Sequence, residues 1–382
     1  MKLKLAMVSP FPEKPGVVTG GVEGVADYLT YGLRQIADID LHIVASCGEN
    51  KPGIEERDGM TIHWLKYPRF PRCLTYWNIY RNNVHRCLKK IAPHITHFQC
   101  TAGFVTGYTE PNVLTIHGIN EKDVLYTNGP FVNLRSKLLA WVENKGRQSS
   151  DNLILISPYI LDEIGEQLHG NQWHIENPIH TDMFDVKRNS TDQVILYVGR
   201  ICRRKNVYGL IRAFEMVHNV IPNATLRIAG LPESEDYLLQ CKNYIKEANL
   251  DSTVQFLGNL DRVSLLGELS RASCLALVSY QETAPLVIEE AMAAGVPVIA
   301  SRVCGMPFMV DDGKTGFLVD PDNHQEISKK MLCVLQNDEL NKQMSELSRD
   351  VARARFHIEP VARKTLDVYL AVLNQAKHFK IL

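Results

Sequence analysis

The chain has 382 residues, of which 45% are hydrophobic and 22% are charged, and its formal net charge is −1 at pH 7. This length is enough for two domains with complete cores, and the composition is that of an ordinary globular protein. A nearly neutral chain has no general electrostatic attraction for nucleic acid, so we expect no nucleic-acid partner.

The cysteines and apolar runs set an expectation for the compartment. Nine cysteines are scattered without a C-x-x-C spacing, which predicts reduced core thiols in the cytoplasm. The first apolar run is too short for a signal peptide, and no run approaches the roughly 20 residues of a membrane-spanning helix. We therefore expect a cytoplasmic protein, with peripheral contact at the inner face of a membrane left open.

In the first half of the chain, apolar runs typical of buried strands alternate with helical patterns. The predicted strands are Leu3–Ser9, Leu41–Ala45, Thr61–Leu65, His94–Gln99, Asn112–Ile116 and Asn152–Ile156. The predicted helices include Val22–Ile36, Trp77–Ile91 and Val132–Gln148. This alternation predicts a parallel sheet with helices on both faces, which binds ligands beyond the carboxyl ends of its strands.

Two features of this half fall at such strand ends. Gly20 and Gly21 lie between the first strand and its helix, where glycines let a ligand approach backbone N–H groups, although an ordinary turn has the same pattern. His117 directly follows the strand predicted over residues 112–116, although a lone histidine is more often structural. From the residues alone, both interpretations stay open at both places.

Residues 66–90 interleave basic and aromatic side chains. They include Lys66, Tyr67, Arg69, Phe70, Arg72, Tyr76, Trp77, Tyr80, Arg81, Arg86, Lys89 and Lys90. This composition fits an interfacial patch on anionic lipid, an acceptor-binding surface, or a solvated helix face with a loop.

The strand and helix pattern restarts after an irregular polar run, His180–Gln193, which fits a domain boundary. Val194–Val198 has the pattern of a strand, and Gly199, Arg200 and Lys205 follow it. A glycine and a flexible basic loop at a strand end suit a diphosphate, because arginine is a forked donor and lysine a compact charge. Elsewhere the same cations would be ordinary surface residues.

The later elements continue the alternation. They are predicted over Val207–Val220, Thr225–Ala229, Tyr237–Ala248, Val254–Leu257 and Arg262–Ala272, followed by a turn entering a strand at Asp311–Val319 and an amphipathic segment at Pro360–Lys377.

The stretch Leu275–Arg302 is the most informative part of the chain. It predicts a buried strand, a loop, a helix with Pro285 in its first turn and a glycine at its end, and a second buried strand. Glu282 lies in the loop and Glu290 on the helix, while Glu289 is expected to be exposed. Eight residues of helix span about 12 Å, of the order of the distance from sugar to ribose in a nucleotide diphosphate sugar. The helix N-terminus would face the phosphates, although two surface glutamates are the default interpretation.

These motifs resemble the signatures of retaining glycosyltransferase family 4. Glu282, seven intervening residues, Glu290 and the run Ala-Met-Ala-Ala-Gly-Val-Pro-Val-Ile-Ala resemble one signature, and Gly199-Arg200 with Lys205 five residues later resembles another. The family has the GT-B architecture, so the resemblance implies an α/β chain with two facing Rossmann-like domains, an interdomain cleft and a C-terminal crossover helix.

The resemblance also implies domain boundaries. An N-terminal Rossmann-like, acceptor-binding domain is expected over residues 1–178, and a C-terminal Rossmann-like, donor-binding domain over residues 179–360. The last segment, residues 361–382, is expected to be a helix that returns to the first domain.

The site residues are implied by the same resemblance. Arg200 and Lys205 would hold the leaving phosphates, Glu282 the sugar hydroxyls, and Glu290 the ribose. The implied catalytic residues are His117, Arg200, Lys205 and Glu282, and the implied donor-binding residues are Gly20, Gly21, Gly199, Pro285, Leu286, Val287 and Glu290. Two Asp-x-Asp triplets, at residues 38–40 and 320–322, fall in predicted turns, and we assign no metal and no other cofactor.

The implied function is metal-independent, retaining transfer of a hexosyl unit from a UDP- or GDP-linked sugar to a hydroxyl of a glycan, lipid or small molecule. A nucleotide-sugar epimerase or hydrolase on the same fold is one alternative. A non-catalytic nucleotide-sugar-binding subunit is another, because the chain departs from the family's motifs. Thr283 and Ala284 replace the Gly-Phe of Glu-Gly-Phe-Pro, and Cys304 and Phe308 replace a glycine and the acidic residue of Gly-Gly-x-Pro-Glu.

Overall fold

The structure is a computed structural model that describes residues 2–47, 52–66, 79–127, 129–189 and 193–379. The chain divides into two compact units, Met1–Pro178 with Ile358–Leu382, and Ile179–His357. Most of the aromatic residues of the stretch 66–90, together with Arg69 and Arg72, fall at 67–78, outside the described residues, as does the predicted start of the helix at Trp77.

Strands and helices alternate along most of the described chain. In chain order the strands are β1 (Leu3–Val8), β2 (Ile39–Cys47), β3 (Gly53–Arg57), β4 (Met60–Lys66), β5 (Ile95–Phe98), β6 (Asn112–Ile116), β7 (Asn152–Leu155), β8 (Asn171–His174), β9 (Val194–Val198), β10 (Thr225–Ala229), β11 (Val254–Gly258), β12 (Cys274–Leu277), β13 (Val298–Ser301) and β14 (Gly316–Val319). In chain order the helices are α1 (Gly21–Ile36), α2 (Tyr80–Ile91), α3 (Asn120–Asp123), α4 (Val132–Arg147), α5 (Tyr159–Ile164), α6 (Thr181–Phe184), α7 (Val207–His218), α8 (Glu235–Glu247), α9 (Arg262–Arg271), α10 (Leu286–Ala293), α11 (His324–Leu335), α12 (Asp338–Arg355) and α13 (Ile358–Phe379).

The first unit is built on an eight-stranded sheet in the order β3-β4-β2-β1-β5-β6-β7-β8. All neighbouring strands pair in parallel except β3 and β4. The chain leaves β1 towards β2 on one side and later returns to β5 on the other side. The sheet therefore has its topological switch point between β1 and β5, where open α/β sheets bind ligands.

The antiparallel edge of this sheet corrects the prediction of a wholly parallel one. Strands β3 and β4 form a hairpin through Asp58 and Gly59, whose φ angles are +49° and +76°. Two left-handed residues give a turn whose twist matches that of the two strands, and Asp-Gly is a favoured pair for it. The hairpin thus had a sequence signal in this dipeptide, although its first strand does not stand out by periodicity.

The C-terminal helix α13 belongs to the first unit and packs on α1. At the crossing, a Cβ atom on Gly32 of α1 would lie 2.7 Å from Cγ1 of Ile358 and 3.1 Å from Cβ of Ala362. Tyr369 of α13 is fully buried, and its hydroxyl lies 2.6 Å from Nδ1 of His97 on β5. The predicted amphipathic segment is therefore a helix that completes the core of the first unit.

The second unit is a six-stranded, wholly parallel sheet in the order β11-β10-β9-β12-β13-β14. β12 and β13 are buried along their whole length, as central strands of a doubly covered parallel sheet are. The chain leaves β9 towards β10 and β11 and then returns to β12 on the other side. The switch point of this unit therefore lies between β9 and β12.

Helix α10 connects β12 to β13, as the sequence predicts. It begins at Leu286, so Pro285 precedes the helix, with φ −70° and ψ 117°, and does not lie in its first turn. A residue flanking a helix takes an extended ψ, which corrects the prediction for this proline by one position. Gly295 follows the helix with φ +72°, the left-handed conformation expected at a helix end.

Candidate functional site

In the second unit, a glycine lies at the carboxyl end of each of three neighbouring strands, at the edge of the sheet where the switch point opens. Gly199 follows β9 with φ +153°, Gly230 follows β10 with φ +138°, and Gly258 ends β11 with φ +70°. A Cβ atom on Gly230 would lie 1.9 Å from the carbonyl oxygen of Gly199. Side chains are excluded there, so backbone lines this edge next to the basic loop that follows β9.

Three charged side chains meet where β9 and β12 end. Lys205 forms an ion pair with Oε1 of Glu282, and Nη1 of Arg204 lies 3.2 Å from the same oxygen. Arg204 also donates to the carbonyl oxygen of Gln281 at 2.6 Å. The loop after β9 and the loop after β12 are therefore joined by charge at the switch point.

This cluster controls the protonation of Glu282, which is only 7% exposed. Burial alone raises the pKa of Glu282, but Lys205 and then Arg204 outweigh burial and hold this pKa below its usual value. Glu282 is therefore a carboxylate near neutral pH, and it can accept hydrogen bonds but cannot donate them.

The altered motif around Cys304 packs against the loop that carries Glu282. The N–H of Gly305 donates to the carbonyl oxygen of Glu282 at 2.9 Å, and a Cβ atom on Gly305 would lie 1.7 Å from the carbonyl oxygen of Thr283. Cys304 has φ +56°, a conformation that favours glycine, and its thiol lies 3.0 Å from Oε1 of Gln281. The glycine that remains is thus the one that close packing requires, and the replaced glycine leaves backbone strain at Cys304.

The other predicted donor-binding residues of this unit lie at α10. Pro285 and Val287 are buried and Leu286 is half-buried. A proline side chain cannot cap the first N–H groups of the helix, and such groups suit an anion. Glu290 is 5% exposed, and Glu289, expected at the surface, is only 1% exposed. The expectation for Glu289 is wrong because α10 contacts β12, β13, α6 and α12 and so has little exposed surface.

Arg200 stands apart from the buried cluster. Its side chain is exposed at the carboxyl end of β9, and its carbonyl oxygen accepts a hydrogen bond of 2.7 Å from the hydroxyl of Tyr197. The cation beside Glu282, in addition to Lys205, is instead Arg204, which motif spacing did not single out. Three consecutive basic residues at 203–205 give no sequence signal for which of them turns inward.

In the first unit, the predicted glycines begin helix α1. Gly20 has φ −157° and Gly21 is the first helical residue, and a Cβ atom on either would meet none of the described atoms within 4 Å. Packing and backbone conformation therefore do not require glycine at either position. The buried carboxylate of Glu23 accepts hydrogen bonds from the N–H and the hydroxyl of Thr19 at 2.6 and 2.7 Å, which fixes the turn before the helix.

His117 directly follows β6, and its Nε2 lies 3.2 Å from Oε1 of Gln99. Because an amide oxygen only accepts, Nε2 is assigned the proton and Nδ1 the lone pair. Burial lowers the pKa of His117 to about 4. The imidazole is therefore neutral at neutral pH, and Nδ1 can accept a hydrogen bond from a hydroxyl group.

A cavity of about 220 Å³ lies at the carboxyl ends of β1, β5 and β6. Its polar lining residues are Ser9, Ser46, Tyr80, Cys100, Thr101, Thr115, His117, Asn120, Glu143 and Arg147. Since a water occupies roughly 30 Å³ in the liquid, the volume equals about seven waters. The switch point of the first unit thus has a cavity of small-molecule size, lined by both apolar and polar side chains.

Glu143 supplies the carboxylate among these lining residues and is 2% exposed. It accepts hydrogen bonds from the backbone N–H of Ala102 at 3.1 Å and from Nδ2 of Asn120 at 2.9 Å. Burial raises the pKa of Glu143, against the opposing effect of Arg147. Arg147 itself makes two hydrogen bonds to Glu121, at 2.8 and 3.0 Å. Helical periodicity gave no reason to single out these α4 residues, which were found only through the fold.

Neither a metal cluster nor a membrane-spanning helix is found in the ranges that the structure describes. These ranges contain no group of three or more His, Cys, Asp or Glu side chains arranged to hold a metal ion. Within the same ranges, each helix is too short or too polar to cross a membrane.

Two family models match the chain. The model described as Glycosyl transferases group 1 matches residues 179–351, and the model described as Glycosyltransferase Family 4 matches residues 19–182. The first match lies within the second unit, and nearly all of the second match lies within the first unit.

Curated relatives match a large part of the chain. N-acetyl-alpha-D-glucosaminyl L-malate synthase of Bacillus anthracis is 25% identical over 248 residues, which cover 62% of this chain and 64% of that protein. Glycogen synthase of Mycobacterium tuberculosis (strain CDC 1551 / Oshkosh) is 30% identical over 270 residues, which cover 69% of this chain and 64% of that protein. The chain thus covers less than two thirds of the length of either relative.

Solved structures match over nearly the whole chain. Sucrose-phosphate synthase from Thermosynechococcus elongatus has a TM-score of 0.84 and 21% identity, covering 98% of this chain and 100% of that chain. Anabaena Alr3699/HepE in complex with UDP-glucose has a TM-score of 0.74 and 17% identity, covering 97% and 100%. At these identities the likeness concerns the fold, and it confirms the predicted GT-B fold class.

Proposed function

We propose an activity for this chain from its family, because it belongs to the group 1 glycosyltransferases of the family 4 type. The proposed reaction transfers a hexosyl unit from a UDP- or GDP-linked sugar to a hydroxyl acceptor, with retention of anomeric configuration and without a metal ion. The observation that carries this proposal is the cluster of Lys205, Arg204 and Glu282 at the switch point of the second unit.

The cluster has the charges that a diphosphate leaving group needs. In the cluster one carboxylate, Glu282, faces two cations, Lys205 and Arg204, so one positive charge is left over. A diphosphate carries more negative charge than one carboxylate, so it would compete for both cations and leave Glu282 to accept hydrogen bonds from the sugar. Exposed Arg200 would be the third cation. Fixed positive charge is worth most where negative charge develops in the transition state, which is why we propose a metal-independent reaction.

The remaining donor contacts stay as predicted by the family resemblance. Glu290 would accept hydrogen bonds from the ribose, and the first turn of α10 would face the phosphates. In the first unit, Gly20 and Gly21 are glycines that neither packing nor backbone conformation requires, which supports a role in close approach of a ligand. UDP-glucose bound to the HepE structure supports a UDP-linked donor as the first one to test.

The cavity of the first unit supports a hydroxyl-rich acceptor. Glu143 is anchored at its wall by Ala102 and Asn120, and the neutral imidazole of His117 presents an acceptor nitrogen. Carboxylate, amide, hydroxyl and imidazole groups together suit the alternating donors and acceptors of a sugar or polyol. Glycogen synthase, a relative named for a glycan product, agrees with an acceptor of this kind.

The first test is an assay of UDP- and GDP-linked hexoses against glycan, lipid and small-molecule acceptors. We expect turnover that persists in EDTA and a product whose anomeric configuration, read by NMR, equals that of the donor. Inverted product, or activity that EDTA abolishes and a divalent ion restores, would contradict the corresponding part of the proposal. Free sugar released as fast without acceptor as with it would identify a hydrolase, and conversion of the donor to its epimer would identify an epimerase.

The second test determines whether the cluster of Lys205, Arg204 and Glu282 acts in the transfer reaction. Glu282→Gln and Lys205→Ala should each lower kcat about 10²- to 10³-fold, the usual effect of removing one preorganised electrostatic contact. Glu268→Gln is the matched control, because Glu268 also pairs with an arginine, Arg227, but on α9 and away from the switch point. The control should turn over near the wild-type rate. Near-normal kcat in both cluster variants would refute the assignment.

A non-catalytic nucleotide-sugar-binding subunit is the second candidate, and the altered loop is the observation that favours it. Cys304 introduces strain at a glycine position, and Thr283 and Phe308 alter the motifs around the sugar. Nucleotide sugars should then raise the melting temperature of the protein while no acceptor in the panel supports turnover.

A further inference from the structure

Exposed apolar side chains are concentrated in one stretch of the first unit. Among the described residues, 17 large hydrophobic side chains are exposed, and six of them fall within residues 125–141. They are Leu125, Tyr126, Phe131, Leu134, Leu138 and Trp141, with exposures of 38% to 77%. Single exposed apolar residues need no explanation, but a contiguous group of this kind marks an interaction surface.

The centre of this surface is a stripe along helix α4. Leu134, Leu138 and Trp141 are four and three residues apart, so they lie on one face over a length of about 10 Å. Arg135 and Lys137 lie on the two sides of this stripe by helical periodicity, and both are exposed. The apolar stripe is therefore bordered by positive charge along both edges.

The charges on this helix all have one sign at its exposed face. Its last turn adds Lys145, whose ammonium lies 4.4 Å from the ring centre of Trp141. The one acidic residue in the sequence of α4 is Glu143, which is buried on the opposite face. On the preceding helix α3, Glu121 is engaged by Arg147, the last residue of α4, and Lys122 by Glu163. The exposed face of α4 thus combines apolar and cationic groups without a carboxylate.

The residue before the helix adds to this surface. Phe131 is 77% exposed and has φ +56°, a conformation that a bulky residue rarely adopts. The core gains nothing from such an exposed side chain, so packing within this chain does not explain why a large apolar residue is held there.

We propose that helix α4, with the turn before it, is a docking surface for an anionic lipid bilayer. A helix with an apolar face, flanking Lys and Arg, and aromatic residues lies in the interfacial plane of a membrane. Trp141 and Tyr126 suit the headgroup level, and Arg135, Lys137 and Lys145 suit anionic headgroups. A protein partner would not explain the lysines beside the apolar stripe, because the cores of protein interfaces are depleted of lysine. The stretch 66–90 plays no part in this assignment.

Docking would also position the cavity of the first unit. Glu143 and Arg147 line the cavity from the inner face of α4, while the stripe lies on its outer face. A docked α4 would therefore place the acceptor cavity one helix diameter from the bilayer, which favours a lipid-linked or headgroup acceptor. This last step rests on the proposed transfer activity, whereas docking itself does not.

The experiment is co-sedimentation of the full chain with vesicles of phosphatidylcholine alone and of phosphatidylcholine mixed with phosphatidylglycerol. We expect binding to the mixed vesicles that weakens as salt is raised. Leu134→Gln with Leu138→Gln should weaken it at least tenfold, and Arg135→Gln with Lys137→Gln roughly 30-fold, at about fivefold for each cation. Leu239→Gln is the matched control, because Leu239 of α8 is 57% exposed and Leu134 is 56% exposed. The control should bind as the wild type does.

Fluorescence localises the contact. The chain has four tryptophans, and the emission of Trp141 should shift to shorter wavelength on mixed vesicles, a shift that Trp141→Phe should remove. Three results would overturn the proposal: no binding to the mixed vesicles, binding that the α4 variants retain, or self-association of the wild-type chain that Leu134→Gln abolishes. Because these measurements involve no turnover, docking can fail or succeed separately from the transfer activity.

Discussion

Two histidines of the first unit, the buried His97 on β5 and the half-buried His117 after β6, set a pH limit on its stability. His97 lies 2.6 Å from the hydroxyl of Tyr369 and 2.6 Å from that of Thr115, and burial, aided by His117, lowers the pKa of His97 to about 3. Loss of solvent around the ring lowers the pKa of His117 to about 4. Neither ring can take a proton without losing favourable surroundings, so both stay neutral in the folded state.

We predict that this neutrality makes the stability fall as the pH is lowered from about 6.5 to about 4. In that window the unfolded chain protonates His117 and the folded chain does not, so the unfolding free energy rises with pH. One such proton contributes about 1.4 kcal/mol per pH unit. The unfolding free energy can be measured with urea at a series of pH values from 4.5 to 7. The slope of this free energy against pH should be lower for His117→Gln than for the wild type by about this amount. An exposed histidine, His169, provides the control His169→Gln, which should keep the wild-type slope. Identical slopes for wild type and His117→Gln would contradict the prediction.

At the residue scale, the positions of site residues along the chain could be predicted from the sequence. Which of their side chains contact one another could not. Strand ends and motif spacing placed His117, Lys205 and Glu282 at the carboxyl edges of their sheets. The inward turn of Arg204 depends on a 3-10 turn over Arg203–Lys205, and no periodicity reports its direction. Burial of Glu289 likewise depends on neighbours of α10 that are distant in sequence.

At the element scale, close contact between α1 and α13 rests on a missing side chain. Gly32 is in the middle of α1, where glycine weakens a helix, so its presence there needs a reason in packing. The reason is Ile358, whose Cγ1 would lie 2.7 Å from a Cβ atom on Gly32.

We predict opposite effects for two Gly→Ala substitutions. Gly32→Ala gains about 1 kcal/mol of helix propensity, but the clash with Ile358 and Ala362 should cost about 1–3 kcal/mol, so the melting temperature should fall. Gly267→Ala, on the exposed face of α9, meets none of the described atoms within 4 Å and should raise stability by about 0.5–1 kcal/mol. Thermal unfolding of both variants tests this. A stabilised Gly32→Ala would mean that α13 can shift away from α1.

Hydrophobic periodicity predicted most of the strands, but it missed the two edge strands β3 and β8 for physical reasons. β3 is exposed or half-buried along its length, and β8 is largely exposed, so neither has the apolar run of a central strand. Edge strands are held by one neighbour, and their sequences carry little burial signal. For β3 the turn chemistry of Asp58-Gly59 was the better guide, whereas β8 is preceded by Gly170, whose φ of +79° gives a weaker cue.

At the scale of the whole molecule, the fold class followed from alternation and motifs, but the connectivity of the units determines how they fold. The first unit is discontinuous, since its last helix lies after the whole second unit. The two crossing segments run side by side, because the N–H of Ile179 donates to the carbonyl oxygen of Phe356 at 2.7 Å and Ile179 pairs in parallel with His357. Residues 178 and 358 flank this pair, and a short linker can therefore join them.

We predict from this connectivity that residues 179–357 fold alone, whereas residues 1–178 do not. Without α13 the first unit loses six apolar side chains that are at most 4% exposed, namely Ile358, Val361, Ala362, Val368, Tyr369 and Val372. At about 1.5–3 kcal/mol for each large one, the loss is roughly 10 kcal/mol, which matches the whole stability of a typical domain. Joining residues 358–382 to residue 178 through a short Gly-Ser linker should restore a cooperative thermal transition and resistance to proteolysis. If residues 1–178 melt cooperatively without the helix, α13 is an accessory to the core of the first unit and not part of it.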